Sequence, residues 1–280
     1  MPLFEDPYAS LKGHEISAPA RLARKLRYQM AAAGLPLTEN ERSILSWKDR
    51  YAGNRRAFLI GNGPSLKQLD LTVLRDEITF GVNAIYLNQA EMGFLPTHYV
   101  VEDSFVAEDR AAEILSLRGP QKWFGNYLQY CLGDADANWL NVLVDYRNYP
   151  GFPHFSEDAL RAVWVGGTVS YVCMQLAFYM GVETLYLVGF DHSYQIPDSG
   201  IRNGNEILST GDDPNHFHAD YFGKGYRWHD PMVERMEEAY VRAKATYEQH
   251  GRRIFNASAG GKLEVFPRVA FDSLFSGDGS

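Results

Sequence analysis

The sequence contains few cysteines and no long apolar run. Cys131 and Cys173 are its only cysteines, and their spacing fits neither a disulfide framework nor a cysteine-ligated zinc site. No stretch approaches the roughly 18 consecutive apolar residues that span a bilayer, and the N-terminus carries no signal-peptide pattern. We therefore expect a cytoplasmic protein, with the inner face of the membrane as the alternative location.

The sequence also lacks an excess of positive charge. Its formal net charge is -8, which excludes a general nucleic-acid binder because that function needs clustered basic residues. Hydrophobic residues make up 45% of the chain and charged residues 22%. These fractions are typical of an ordinary globular protein, and 280 residues are enough for one substantial core.

Two common nucleotide-binding fingerprints are missing, although a related turn is present. The segment 57–66 reads as a buried strand that runs into a glycine-bearing turn, with Pro64 as the first residue of a helix. Leu66 stands where the dinucleotide fingerprint has its third glycine, and no Gly-Lys-Ser/Thr loop occurs. We expect backbone N–H groups of the turn to approach a phosphate, an empty turn being the alternative. The candidate ligand-binding residues here are Gly61, Asn62, Gly63 and Ser65.

Buried strands alternate with helices from residue 56 onward, which predicts crossover connections and a mostly parallel sheet. The candidate strands are 58–61, 79–82, 98–101, 122–124, 141–144, 184–189 and 253–255. The predicted fold class is therefore α/β, with a Rossmann-like doubly wound sheet, an N-terminal helical extension and a lid. Asn83 ends the second strand where a dinucleotide site has a carboxylate, so we interpret it as an amide that contacts a base or sugar.

Residues 1–52 are interpreted as the helical extension, and residues 53–280 as the nucleotide-sugar-binding catalytic domain. Apolar residues recur every four positions between arginines and lysine over 18–34, which predicts an amphipathic basic helix. We expect this helix to pack on the surface of the domain, and peripheral contact with a membrane surface is the alternative. A second helix is predicted over 38–51, with Thr38 and Glu41 forming a capping box.

A second glycine-bearing turn precedes the helix predicted to end at Met180. Gly167 and Thr168 form a second glycine-bearing turn at the start of a helix, so we expect it to bind a ligand as the first turn does. A capped helix without a ligand is the alternative. Acidic residues follow two strands of the sheet, where such folds contact their ligands. These acids, Asp191, Glu102 and Asp103, could orient sugar hydroxyls or bind Mg²⁺.

The irregular run 195–228 is too long for an ordinary connection and predicts a lid. Asp230 is expected to cap the helix that follows, with Pro231 as its first residue. His229, directly before this helix, is the candidate general base, and packing against Trp228 is the alternative. Tyrosines near the lid offer phenolic donors to a departing phosphate, and the two selected are Tyr194 and Tyr226.

Together these motifs resemble a known group of proteins. The turn 61–66, the asparagine after the second strand, Thr168 and the segment 174–191 are similar to bacterial sialyltransferases of glycosyltransferase family 42. With the segments 221–231 and 256–266, the chain looks still more like DUF115 proteins. That group includes MptE-type 6-hydroxymethylpterin diphosphokinases and motility accessory factor glycosyltransferases. The resemblance covers about residues 50–270.

The resemblance implies an inverting, metal-independent glycosyltransferase. Its donor would be a CMP-activated nonulosonic, sialic-acid-like sugar, its acceptor a glycan or protein glycan, and it would need no resident cofactor. By this resemblance, Asn62 and Asn83 would contact the cytidine nucleotide, and Thr168 would contact the donor. Tyr194 would contact the leaving phosphate, and His229 would be the general base. Related enzymes also assemble as homo-oligomers.

One departure from the family pattern keeps other functions open. Glu102 and Asp103 stand where the family has a sugar-contacting asparagine, and an acid there would repel a carboxylate-bearing sugar. Asp103 is retained as a catalytic candidate with His229 and Tyr194. If Asp103 binds Mg²⁺ instead, a Mg²⁺-dependent 6-hydroxymethylpterin diphosphokinase is favoured. A catalytically silent nucleotide-sugar sensor is the third hypothesis.

Overall fold

The computed structural model describes residues 18–53, 55–143, 154–195, 201–203 and 206–276. The helices are α1 (Ala18–Ala32), α2 (Glu39–Leu45), α3 (Gln89–Met92), α4 (Ser104–Asp109), α5 (Ala111–Ser116), α6 (Gln129–Leu132), α7 (Val169–Tyr179) and α8 (Val233–Gln249). The strands are β1 (Arg56–Ile60), β2 (Ile78–Val82), β3 (His98–Val101), β4 (Gln121–Gly125), β5 (Asn138–Leu140), β6 (Val142–Leu143), β7 (Val163–Trp164), β8 (Thr184–Val188), β9 (Ile201–Asn203), β10 (Glu206–Leu208), β11 (Arg227–His229) and β12 (Arg253–Asn256). Short 3₁₀ helices lie at Pro64–Gln68, Leu71–Leu74, Ile85–Asn88, Asn126–Leu128 and Asp272–Leu274.

Several predicted positions lie outside the described residues. They are residues 1–17 of the extension, Val144 of the fifth predicted strand, positions 196–200 and 204–205 of the lid, and residues 54, 145–153 and 277–280 of the catalytic domain.

Seven of the described strands form one parallel sheet in the order β12-β8-β1-β2-β3-β4-β5. Phe58 of β1 pairs with Thr79 of β2 on one side and with Tyr186 of β8 on the other. The chain therefore winds outward in two directions from β1, and the order reverses between β1 and β8. The predicted Rossmann-like doubly wound fold is confirmed.

The central strands are apolar because both faces of the sheet are covered. Residues 57–60 of β1 are fully buried, and all eleven residues of α7 are buried as well. α7 packs across β1, β2 and β3 and also contacts α8. A strand covered on both faces reads as a continuous apolar run, which is why β1, β2, β3 and β8 were predictable.

The N-terminal segment packs on the sheet through aromatic side chains. The capping box of Thr38 and Glu41 is confirmed, but α2 is shorter than predicted. After α2, the Tyr51 hydroxyl lies 2.8 Å from Nε2 of the buried His98 in β3. Trp123 of β4 donates its Nε1–H to Nδ1 of the same imidazole at 3.1 Å. The division into an extension and a catalytic domain stays a prediction.

The helix α1 packs on the domain surface, as preferred, but it does not pack through its apolar stripe. Leu22, Leu26 and Met30 are 45%, 51% and 41% exposed. The buried side of the helix carries Tyr28 and Ala31 instead. Among the described residues, no helix is both long and apolar enough to cross a membrane.

The lid and its flanks differ from the prediction in three ways. The lid contains an antiparallel sheet of β9, β10 and β11, so the run is not wholly irregular. Asp230 does not cap α8: it forms an ion pair with Arg202 at 3.1 Å, and Met232 holds the N-cap position. His229 is therefore the last residue of β11, where it pairs with Glu206, and does not sit at the mouth of α8.

Two further elements differ from the prediction. The strand predicted at 141–144 is present as β6, but it pairs with β7 in a separate small sheet, and β5 is the strand that pairs with β4. The helix predicted after Pro64 is a single 3₁₀ helix of five residues, which ends at Gln68.

Candidate functional site

One cavity of about 700 Å³ lies at the carboxyl ends of β1, β2, β3 and β8. This is the edge at which the strand order reverses, where open α/β sheets bind their ligands. The predicted site residues that line it are Gly61, Asn62, Gly63, Asn83, Glu102, Asp103, Gly167, Thr168, Asp191, Tyr194 and His229. Both glycine turns thus face one space, while the chemical roles of these residues stay predictions.

The first glycine turn packs against the neighbouring strand. The N–H groups of Gly61 and Gly63 donate to the carbonyl oxygens of Val188 (2.8 Å) and Gly189 (2.9 Å). A Cβ on Gly63 would lie 1.7 Å from Asp191 Oδ2, and a Cβ on Gly61 would lie 2.6 Å from Gly189 O. Glycine is therefore needed here for close backbone packing. The expectation that these two N–H groups are open to a phosphate is wrong.

Asp191 occupies the place expected for a bound anion at this turn. Its Oδ2 accepts hydrogen bonds from the backbone N–H of Ser65 (3.2 Å) and from the Ser65 hydroxyl (2.9 Å). Ser65 is buried and is not among the residues that line the cavity. It orders Asp191, whose carboxylate would repel a phosphate from the same position.

Asn62 and Asn83 are oriented by a tyrosine of the lid. Asn62 Nδ2 donates to the Tyr221 hydroxyl (2.8 Å) and to Val82 O (3.2 Å), and the Asn83 side chain bonds the same hydroxyl. The Oδ1 atoms of both asparagines are buried and have no hydrogen-bond partner among the described residues. Two unpaired amide acceptors therefore lie directly behind the surface of the cavity, in side chains that line it.

Glu102 follows β3 and is held by Tyr127. The Tyr127 hydroxyl donates to the backbone carbonyl of Glu102 and lies 3.0 Å from its Oε2. Burial raises the pKa of Glu102 to about 8, and the adjacent Asp103 carboxylate adds to the effect. Glu102 is therefore mostly protonated at pH 7, so it can donate a hydrogen bond.

Asp103 and His229 form a carboxylate–imidazole pair across the cavity rim. Asp103 Oδ1 lies 3.8 Å from His229 Nε2, which is within ion-pair distance. The same oxygen caps α4 by accepting from the N–H groups of Phe105 (2.8 Å) and Val106 (3.3 Å). The His229 ring stacks on Phe105 at 4.3 Å and is 45% exposed. The imidazole is thus oriented by two neighbours and open to solvent.

The second glycine turn combines a helix N-terminus with an arginine. Gly167 has a φ of 86°, and Thr168 is the N-cap of α7, its hydroxyl accepting from the Ser170 N–H at 3.3 Å. The Arg235 side chain lies against this turn, with Cγ and Nε 3.4 and 3.6 Å from where a Cβ of Gly167 would be. Burial lowers the pKa of Arg235, and the Glu102 carboxyl opposes this effect. This corner of the cavity is its most electropositive part.

The two selected tyrosines lie in different places. Tyr194 lines the cavity, with its hydroxyl 3.9 Å from Met236 Sδ. Tyr226 is not among the lining residues, and its ring instead faces the Arg110 guanidinium at 4.0 Å. Arg110 also donates to the backbone carbonyl of Tyr221 at 2.9 Å. Tyr226 and Arg110 therefore hold the lid onto the domain.

Sequence reasoning missed two important residues, Tyr221 as the organiser of the asparagines and Arg235 as a cavity cation. Tyr221 was visible only as one of several tyrosines near the lid. Arg235 did carry a signal, because it lies in the first turn of α8, where the helix dipole disfavours a cation. Such a placement indicates that the charge is used for something other than helix stability.

The described residues contain no group of three or more His, Cys, Asp and Glu side chains arranged to hold a metal ion. Mg²⁺ can also be held by one or two carboxylates together with substrate phosphates, and Glu102 and Asp103 are the pair that would do so. The fit is poor, because Glu102 would have to lose its proton and Asp103 Oδ1 already caps α4.

Comparison with known proteins gives a family and a structural neighbour. The model of the family described as "6-hydroxymethylpterin diphosphokinase MptE-like" matches residues 36–197. Among solved structures, the chain is similar to the sialyltransferase CstII from Campylobacter jejuni in complex with cytidine-5'-monophosphate. The TM-score is 0.43 at 14% sequence identity, covering 78% of this chain and 86% of that chain. No curated protein sequence matches the chain.

Proposed function

The chain belongs to the MptE-like family, whose model matches more than half of it, and we propose that it is a glycosyltransferase. In this proposal it moves a nonulosonic, sialic-acid-like sugar from a CMP-activated donor to a glycan hydroxyl, with inversion and without a metal ion. The observation that carries the proposal is the Asp103–His229 pair beside a cavity that is lined by Asn62, Asn83 and one arginine.

The amide acceptors support binding of a nucleoside. The Oδ1 atoms of Asn62 and Asn83 are buried without a partner, and a rotation of either amide toward the cavity would let it accept from ribose hydroxyls or from the exocyclic amino group of cytosine. Burying an acceptor without a partner costs about 1–3 kcal/mol, so a ligand that supplies the missing donors recovers that free energy.

The charge of the cavity supports a donor with one phosphate. Arg235 is the only lysine or arginine among the described residues that line it. A phosphodiester carries one negative charge, which one guanidinium and the N-terminus of α7 can compensate. The triphosphate of ATP carries several charges and ordinarily needs Mg²⁺ and more cations.

The raised pKa of Glu102 weakens, for one of the two acids, the objection that they would repel a carboxylate-bearing sugar. With a pKa of about 8, Glu102 is mostly neutral at pH 7 and can donate a hydrogen bond to the sugar carboxylate. This is the same device by which buried carboxylic acids serve as donors in other active sites.

His229 is the proposed general base. Since Asp103 lies on the Nε2 side of the ring, Nδ1 is the nitrogen left for the acceptor hydroxyl. As the acceptor oxygen bonds to the anomeric carbon, its proton passes to Nδ1 and the bond from carbon to the phosphate oxygen breaks with both electrons. CMP leaves with that oxygen, and Asp103 stabilises the resulting imidazolium. Tyr194, a phenol that is protonated at neutral pH, is the proposed donor to the departing phosphate.

The test measures release of CMP from CMP-N-acetylneuraminate in EDTA, with lactose as acceptor. His229→Asn should lower the rate by roughly 10²–10⁴-fold while leaving the Kd for CMP unchanged. His218→Asn is the matched control, because His218 is exposed on the same lid and does not line the cavity. Full turnover by His229→Asn would reject His229 as the base.

The family description favours one alternative, a Mg²⁺-dependent 6-hydroxymethylpterin diphosphokinase. Glu102 and Asp103 are the residues that would hold Mg²⁺, which would supply positive charge against the phosphates of ATP. This alternative predicts ATP binding that EDTA abolishes, whereas the glycosyltransferase predicts CMP binding that EDTA does not affect.

A further inference from the structure

A second carboxylate–imidazole pair lies in the lid, formed by Asp213 and His216. His216 Nδ1 is 2.6 Å from Asp213 Oδ2, and the Asp213 side chain is 3% exposed. Asp213 also accepts from the backbone N–H groups of Phe222 (2.9 Å) and Asn215 (2.8 Å). The carboxylate is therefore fixed by three hydrogen bonds, and it fixes the imidazole in turn.

The His216 ring is tied to the first glycine turn. It stacks on Tyr221 at 4.0 Å with an interplanar angle of 8°, and Tyr221 accepts the hydrogen bond from Asn62. The next residue, Phe217, donates its backbone N–H to Asn62 O at 2.8 Å. His216 lines the cavity, and its Nε2 has no hydrogen-bond partner among the described residues. Because Asp213 holds Nδ1, Nε2 is the ring nitrogen that remains for a ligand.

The distribution of charge indicates what this nitrogen would bind. The cavity wall carries the carboxylates of Asp103, Asp191 and Asp230, which repel an anion. Of the three histidines in the wall, His229 pairs with Asp103, and His192 Nε2 is occupied by Glu237 at 3.2 Å. His216 is thus the histidine whose open nitrogen can complement an anion on the wall beside Asn62.

We propose that His216, held by Asp213, donates an Nε2–H hydrogen bond to the phosphate of the bound nucleotide. The inference rests on the proposed function only in that the ligand is a nucleotide. In the imidazolium form both ring nitrogens donate, one to Asp213 and one to the phosphate, and the buried carboxylate balances the charge. His216 is then a second binding residue for the phosphate, in addition to Arg235.

The test compares a nucleotide with its nucleoside by isothermal titration. His216→Asn keeps a donor near Nδ1 and removes Nε2, so it should weaken CMP binding by roughly tenfold or more while cytidine binding stays within about twofold. His218→Asn should leave both affinities unchanged. Asp213→Asn should weaken CMP in the same sense, and melting temperatures identify any variant that loses its fold.

Each result decides the proposal. Unchanged CMP affinity in His216→Asn, or an equal loss of CMP and cytidine, would overturn it. If the wild-type protein binds ATP and not CMP, the glycosyltransferase proposal is wrong. The His216 proposal then requires that His216→Asn weaken the binding of ATP and leave the binding of adenosine unchanged. A folded protein that binds no nucleotide overturns both proposals.

Discussion

Replacing Glu102 by glutamine should remove a loss of stability that the wild-type protein undergoes as the pH rises. The folded protein holds the Glu102 proton up to a pKa of about 8, mainly because of burial, whereas the unfolded chain releases it near 4.5. Between these values the folded state binds more protons than the unfolded state. The free energy of unfolding therefore decreases as the pH rises through this window.

The magnitude follows from the shift in pKa. Each unit corresponds to about 1.4 kcal/mol, so the full effect above pH 8 is about 5 kcal/mol. Between pH 5 and pH 9 the wild-type protein should lose about 4 kcal/mol relative to Glu102→Gln. Glutamine keeps an oxygen that can accept the Tyr127 hydrogen bond, so the fold at the end of β3 is preserved.

The assay is urea unfolding of both proteins at pH 5, 7 and 9, followed by circular dichroism. Glu264→Gln is the control for removal of a carboxylate, because Glu264 is 74% exposed and is not among the residues that line the cavity. A difference between wild type and Glu102→Gln that is the same at pH 5 and pH 9 would refute the proposed protonation state.

Three further predictions follow from single residues. Burial lowers the pKa of His98 to about 3. The free energy of unfolding of the wild-type protein should therefore fall by about 3 kcal/mol between pH 7 and pH 4 relative to that of His98→Gln, as measured by urea unfolding. The same change in both proteins would contradict this. Tyr221→Phe should cost about 1–3 kcal/mol of stability and weaken CMP binding, because the amide of Asn62 loses its acceptor; an unchanged Kd would contradict it. Vesicles of anionic phospholipid should co-sediment with the wild-type protein and not with Leu26→Glu, since Leu26 is exposed on α1. Equal co-sedimentation of both proteins would exclude membrane contact through the apolar stripe of α1.

The parallel sheet was predictable because its strands are continuous apolar runs. β1, β2, β3 and β8 lie within two residues of their predicted bounds, and α7 begins after its predicted cap, Thr168. The short strands of the lid were not predictable, because β9 and β10 have three residues each in a run rich in glycine and polar residues. Pairing between strands, not local propensity, stabilises them.

The candidate site was predictable in its location but not in its contacts. The sequence marks Gly63 as special, yet only the fold brings Asp191 to 1.7 Å from the position of its missing Cβ. In the same way, Asp103 and His229 are distant in sequence and meet only across the sheet edge. Long-range pairings of this kind leave no local pattern. The turn alone therefore predicts a phosphate at the position that the Asp191 carboxylate occupies.

The central claim is that this cavity binds a cytidine monophosphate donor without a metal ion. Isothermal titration of CMP and ATP into the wild-type protein, each in EDTA and in Mg²⁺, tests it most directly. The account predicts that CMP binds equally well in both solutions and that ATP binds weakly in both. ATP binding that requires Mg²⁺, with no binding of CMP, would contradict it.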